Sequence, residues 1–129
     1  MKIAIPVNEN NEQTTICPSF GRTPFYLIAD TDSGERVIFD NTAANQAGGA
    51  GIAAAQSLVD RGVEAVISPR CGENAARVLS AAGIKMYKMQ GDSVEENLKA
   101  FAEGALLALD DIHPGFHGPG GSGSRGGRE

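Results

Sequence analysis

The residues able to do chemistry in this chain are a glycine cluster, two arginines and two cysteines. The stretch 41–51, Asn-Thr-Ala-Ala-Asn-Gln-Ala-Gly-Gly-Ala-Gly, lies between an extended run (36–41) and a helical one (52–61). Glycines at 48, 49 and 51 let the backbone turn sharply and bring its N–H groups close to a ligand. The helix that follows adds unpaired N–H groups and the positive end of its dipole. The segment Gly48, Gly49, Ala50, Gly51 is therefore suited to hold an anion without a charged side chain. The alternative is a loop that uses glycine only to pack a helix on a sheet. Residues 49–54 also fit the loose dinucleotide pattern G-x-G-x-x-A. They follow the third strand of a meander instead of opening a βαβ unit, and the next strand ends Ser68-Pro69-Arg70 without the acidic residue a ribose needs.

Cys17 and Cys71 are the soft metal ligands available. Two thiolates undersupply an ordinary iron–sulfur cluster, which takes four. The pair is open to three roles: two metal ligands, a link between copies, or apolar filling. Arg22 and Arg70 can neutralise an anion or stand solvated on the surface. Ser19 and Ser68 have no histidine near them in sequence, so a Ser-His hydrolase is not indicated. His113 and His117 sit four apart among glycines and prolines, a setting that reads as a flexible tail before it reads as a metal site. The first strand is apolar inside, which excludes the carboxylate-held metal pair of a nuclease.

A chain of 129 residues with 41% hydrophobic residues suits one domain with a single, largely aliphatic core. Its net charge is −5 and no basic cluster occurs, which argues against a nucleic-acid partner. No apolar run is long enough to span a bilayer, and residues 1–8 carry no long apolar signal region. The expectation is a cytoplasmic protein with no membrane partner and free thiols.

These residues need elements to position them. Apolar, β-branched runs predict strands at 2–7, 25–30, 36–41, 65–68 and 84–89. Helical periodicity predicts helices at 52–61 and 73–82, and a capping box at Ser93 opens a third running to about 109. The order β-β-β-α-β-α-β-α predicts an α/β, ribonuclease-H-like fold. Its five-stranded mixed sheet has order 3-2-1-4-5 and helices on both faces. Loops 8–24, 42–51, 69–72 and 90–92 then share one sheet edge, at the switch point where open α/β sheets place ligands. The domain is expected to span 1–112, with 113–129 a disordered Gly/Pro/Ser-rich tail.

Several segments together resemble one known family. They are Met1-Lys2-Ile3-Ala4-Ile5-Pro6-Val7, Phe20-Gly21-Arg22-Thr23-Pro24-Phe25-Tyr26, the stretch 41–51, Gly62-Val63-Glu64-Ala65-Val66-Ile67, Gly72-Glu73-Asn74-Ala75 and Ala82-Gly83-Ile84-Lys85. In this order, over about residues 1–110, they are similar to the nitrogenase iron–molybdenum cofactor biosynthesis domain family. The resemblance implies a ribonuclease-H-like fold without nuclease activity. It also implies a non-catalytic binder or carrier of an anionic metal–sulfur cluster. That cluster is an iron–molybdenum cofactor precursor or a molybdenum–copper sulfide, non-covalently held.

The expected site comprises Ser19, Phe20, Gly21, Arg22, Gly48, Gly49, Ala50, Gly51, Arg70, Gly72 and Asn74, with Cys17 and Cys71 as candidate metal ligands. The expected partner is the cluster, or the protein that donates or accepts it. Two positions depart from the family pattern: Ser19 stands where a histidine is frequent, and Cys71 where a small or apolar residue is expected. Two other readings are a small nucleotide-binding reductase using residues 49–54, and a regulatory or scaffold module whose loop edge binds a protein.

Overall fold

A computed structural model describes residues 1–11, 13–110 and 112–113. Of the tail expected at 113–129, His113 is described and ends a two-residue strand, paired with Gly72, while 114–129, with His117, lie outside the described residues. The chain order is β1 (Lys2–Val7), β2 (Phe25–Asp30), β3 (Arg36–Asp40), a 3₁₀ turn (Thr42–Asn45), α1 (Ala50–Asp60) and β4 (Ala65–Ser68). It continues with β5 (Cys71–Gly72), α2 (Glu73–Ala81), β6 (Lys85–Lys88), α3 (Val94–Ala102) and β7 (Ile112–His113). The main sheet has order β3-β2-β1-β4-β6. β6 is its fifth strand in sequence, so the expected order 3-2-1-4-5 is the order observed, with the two-residue strand β5 set apart from it. β1, β2 and β3 form an antiparallel meander, and β4 and β6 run parallel to β1.

β1 occupies the centre because it is apolar on both faces: Ile3, Ala4, Ile5 and Val7 are fully buried. One cluster holds Ala4, Tyr26, Leu58, Val66 and Leu79, and it lies under α1 and α2. The other holds Ile3, Ile5, Val7, Leu27 and Ile67 under α3. Each large aliphatic side chain so buried contributes about 1.5–3 kcal/mol. α1 and α2 meet through small residues. A side chain on Gly51 would bring its Cβ to 3.4 Å from the Cβ of Ala75. That close approach draws the first turns of both helices together at the upper edge of the sheet.

The third helix differs from the sequence reading. It ends at Ala102 and does not reach 109, because Gly104 turns the chain at φ 72, a left-handed conformation glycine adopts without strain. The following residues are extended and cover the outer edge of β6: the Lys88 amide donates to Leu107 O at 2.8 Å and the Leu109 amide to Met86 O at 3.0 Å. An otherwise open edge outweighed the helical propensity of Ala105-Leu106-Leu107.

Candidate functional site

The loop between β1 and β2 is irregular but strongly held. The Ser19 hydroxyl accepts the Arg22 amide at 3.1 Å, closing a short turn. The Tyr26 hydroxyl donates to Phe20 O. Asn41, the residue after β3, is 6% exposed, and its side-chain amide donates to Gly21 O at 3.0 Å and Thr23 O at 2.9 Å. Arg22 reaches the other way: its Nη1 donates to Ala44 O and Gln46 O, both at 2.9 Å. The loop is thereby tied to the start of the glycine stretch. At Gly21 the two backbones nearly touch, since a Cβ there would lie 2.9 Å from Gly51 Cα and 3.0 Å from Gly51 N.

These ties enclose a cavity of about 830 Å³ at the upper edge. Ser19, Phe20, Gly21, Arg22, Gly48, Gly49, Ala50, Gly51, Arg70, Gly72 and Asn74 all line it. The sequence-expected residues are thus brought around one space from three separate loops. Pro18, Ala47, Ile52 and Ala75 line it as well. Sequence reasoning missed these four, because apolar residues carry no chemical signal. The loop at 90–92 does not line the cavity. It is bound to the β1–β2 loop instead, where the Ile16 amide donates to Asp92 O at 3.0 Å.

Two helices open into the cavity without a side-chain cap. The N-cap of α1 is Gly49, at φ 71, and that of α2 is Gly72, and neither glycine has a side chain to cap the helix. By contrast, α3 starts at Ser93, whose hydroxyl accepts the Glu96 amide at 3.2 Å. The first-turn N–H groups of α1 and α2 have no intrahelical partner and point out of the helix ends, along with the positive ends of both dipoles. Arg70 is exposed at the rim and makes no ion pair among the described residues. Glu73 brings a carboxylate to the first turn of α2, but it is 3.4 Å from Arg77, not a wall of the cavity. The sum is a space lined by donors and positive charge, closed by Pro18, Phe20 and Ile52 as apolar walls.

Neither cysteine lines the cavity. Cys17 and Cys71 are free thiols, 8% and 1% exposed. Cys71 belongs to the apolar cluster beneath α1 and α2, and burial pushes its thiol up to about 12. The Tyr26 hydroxyl is likewise raised, first by burial and then by the neighbouring Cys71 and Cys17. Both sulfurs therefore do lie at the same end of the sheet, around Tyr26, but inside the protein. A neutral, buried thiol is a poor metal ligand, because the thiolate is the ligating form. Among the described residues no group of three or more His, Cys, Asp or Glu could hold a metal ion.

The raised Cys71 value makes a prediction. The folded protein keeps the proton that the unfolded chain loses near pH 9. Stability is therefore fully present below pH 9 and falls as pH rises from there toward 12. Denaturant melts at increasing pH should show this decline, and Cys71→Ala should remove the part of it between pH 9 and 10, before tyrosine contributes. A flat profile in the wild type would contradict the burial of this thiol. Cys71 should also resist alkylation until the protein unfolds.

The comparisons with known proteins agree with the fold. An uncharacterized protein of Methanocaldococcus jannaschii is 36% identical over 109 residues, covering 82% of this chain and 89% of the relative. The apo form of the orange protein from Desulfovibrio gigas superposes with a TM-score of 0.80 at 27% identity, covering 85% of this chain and 93% of that one. A Thermotoga protein of the DUF35 family gives a TM-score of 0.72 at 36% identity, covering 83% and 91%. The family model described as dinitrogenase iron-molybdenum cofactor matches residues 1–104, and the chain belongs to that family.

Proposed function

We propose that this chain binds and carries an anionic metal–sulfur cluster, of iron–molybdenum cofactor precursor or molybdenum–copper sulfide type, and does so without catalysing a reaction on it. The observation that carries this reading is the pair of uncapped helix N-termini converging on one glycine-walled cavity beside Arg70. Sulfide-rich clusters are anionic and accept hydrogen bonds from N–H groups. Preformed donors hold such a cargo, and the absence of a thiolate from the wall leaves it free to leave. Similarity to the orange protein and membership of the family support the cluster as cargo. The dinucleotide alternative has less support, because these glycines follow the third strand of a meander and the next strand ends without an acidic residue for a ribose.

The test is equilibrium loading with tetrathiomolybdate, alone and with copper(I), followed by absorption spectra and metal analysis. Stoichiometric uptake by the wild type is expected, weakening as salt rises because exposed charge attraction is screened. Gly49→Val probes the cradle. No atom lies within 4 Å of a Cβ built there, so the side chain fits sterically. The positive φ makes it cost about 1–3 kcal/mol of strain. The bulk would stand at the helix end where the cargo must approach, so loading should fall more than stability. Full loading by a folded Gly49→Val protein would show that these N–H groups only pack a helix. Absence of any uptake by wild-type protein would sink the carrier reading.

A further inference from the structure

Five large apolar side chains stand exposed among the described residues: Met1, Val37, Ile52, Leu107 and Ile112. Of these, Ile52 borders the cavity between the two helix ends. It is the third residue of α1 and is 43% exposed. The Ala53 amide makes the first hydrogen bond of that helix, to Gly49 O at 3.0 Å, so the amides of Ala50, Gly51 and Ile52 have no intrahelical partner. A branched aliphatic side chain therefore stands beside the free donors of one helix end. Pro18 and Ala47, also exposed, border the same opening. Phe20 borders it from inside: it is 3% exposed and packs edge-on against Tyr26, with 5.5 Å between ring centroids.

Donors and positive charge do not by themselves select a sulfur-rich anion. Backbone N–H groups and arginine bind oxide as readily as sulfide. The apolar side chains do discriminate. A sulfide is larger and more polarisable than an oxide, so it gains more from close contact with carbon. An oxide concentrates the same charge in a smaller volume and holds its water more tightly. Entry into an apolar-walled space therefore costs it more.

We infer that Ile52 is a specificity-determining residue: with Pro18, Ala47 and Phe20 it makes the cavity favour sulfur-rich metal anions over oxoanions of the same shape and charge. The inference rests on the carrier reading above and adds the selection of cargo to it. Tetrathiomolybdate and molybdate are the matched pair, since both are tetrahedral dianions of one metal. Ile52 is the wall that can be cut back most cleanly. Phe20 belongs to the cluster beneath α1 and α2, so its loss would leave a hole in the core. Ala47 has a single methyl to lose, and Pro18 restrains the backbone.

Equilibrium dialysis of the full chain against each anion, at one ionic strength and with molybdenum measured on both sides, tests this. The wild type should bind tetrathiomolybdate more tightly than molybdate, by roughly tenfold or more. Ile52→Ser should lower that ratio by roughly fivefold, the scale of losing part of one buried aliphatic contact. Ile52→Leu, which keeps the apolar bulk, should retain the wild-type ratio. Circular dichroism establishes that each variant is folded. If Ile52→Ser does not fold, Ile52→Ala takes its place, because alanine is the stronger helix former. Equal affinity of the wild type for the two anions overturns the inference and leaves the carrier reading standing. An unchanged ratio in the folded truncation variant, whether both affinities hold or fall together, does the same, because Ile52 then serves only the helix end. Uptake of neither anion by the wild type overturns both readings.

Discussion

Gly21→Val is expected to abolish cluster loading and to destabilise the fold by about 1–3 kcal/mol, the usual range for overpacking. The cause is the contact with Gly51, whose Cα and N would lie 2.9 and 3.0 Å from the new Cβ. These atoms are backbone of residues 50–51 at the start of α1 and cannot rotate away as a side chain would. The β1–β2 loop must then move off the first turn of α1. That opens the cavity and pulls on the Asn41 bond to Gly21 O. The effect on loading should exceed the effect of Gly49→Val, where a side chain has open space. Chemical denaturation and loading with tetrathiomolybdate measure the two consequences separately. A Gly21→Val protein that loads normally would mean the β1–β2 loop is not part of the binding site.

The second large effect separates electrostatic holding from thiol ligation. Arg70→Ala should weaken thiometallate binding by about 1 kcal/mol, roughly fivefold, the order of one exposed charge contact in water. Arg22→Ala should add a further loss, partly because it frees the carbonyls of Ala44 and Gln46 that Arg22 now holds. Both losses should shrink as salt screens the wild type. Cys17→Ser with Cys71→Ala should leave loading intact, since neither sulfur lines the cavity. Alanine is the better choice at Cys71, because a serine hydroxyl left unpaired in that apolar cluster would cost about 1–3 kcal/mol by itself. Loss of loading in the cysteine variant, with its fold intact, would make a thiol a direct ligand and reverse this assignment.

Much of this architecture could be read directly from residue patterns. Five apolar runs and the change from two-residue to helical periodicity gave the strand order, because one strand apolar on both faces has to be central. Gly21, Arg22, Gly48, Gly49, Gly51 and Arg70 line one cavity, as expected from loops that the strand order puts at one sheet edge. The end of α3 was not readable. Local propensity at Ala105-Leu106-Leu107 favours helix, and only the need to cover β6 explains the extended path taken.

What the sequence by itself determined is the set of local choices: where strands and helices begin, which loops share an edge, and that two thiols undersupply an ordinary iron–sulfur cluster. Those follow from periodicity and side-chain type, which act over a few residues. Only the tertiary structure decided which residues face inward. Cys71 is open in sequence to ligand, link or apolar filling, and it is packed at 1% exposure with its thiol pushed up to about 12, because burial depends on residues distant in the chain. Asn41 reads in sequence only as the end of the third strand. Its amide holds Gly21 and Thr23, from 20 and 18 positions away, and so fixes the cavity wall. Contacts of that separation come from how sheet and helices pack, and no local pattern encodes them.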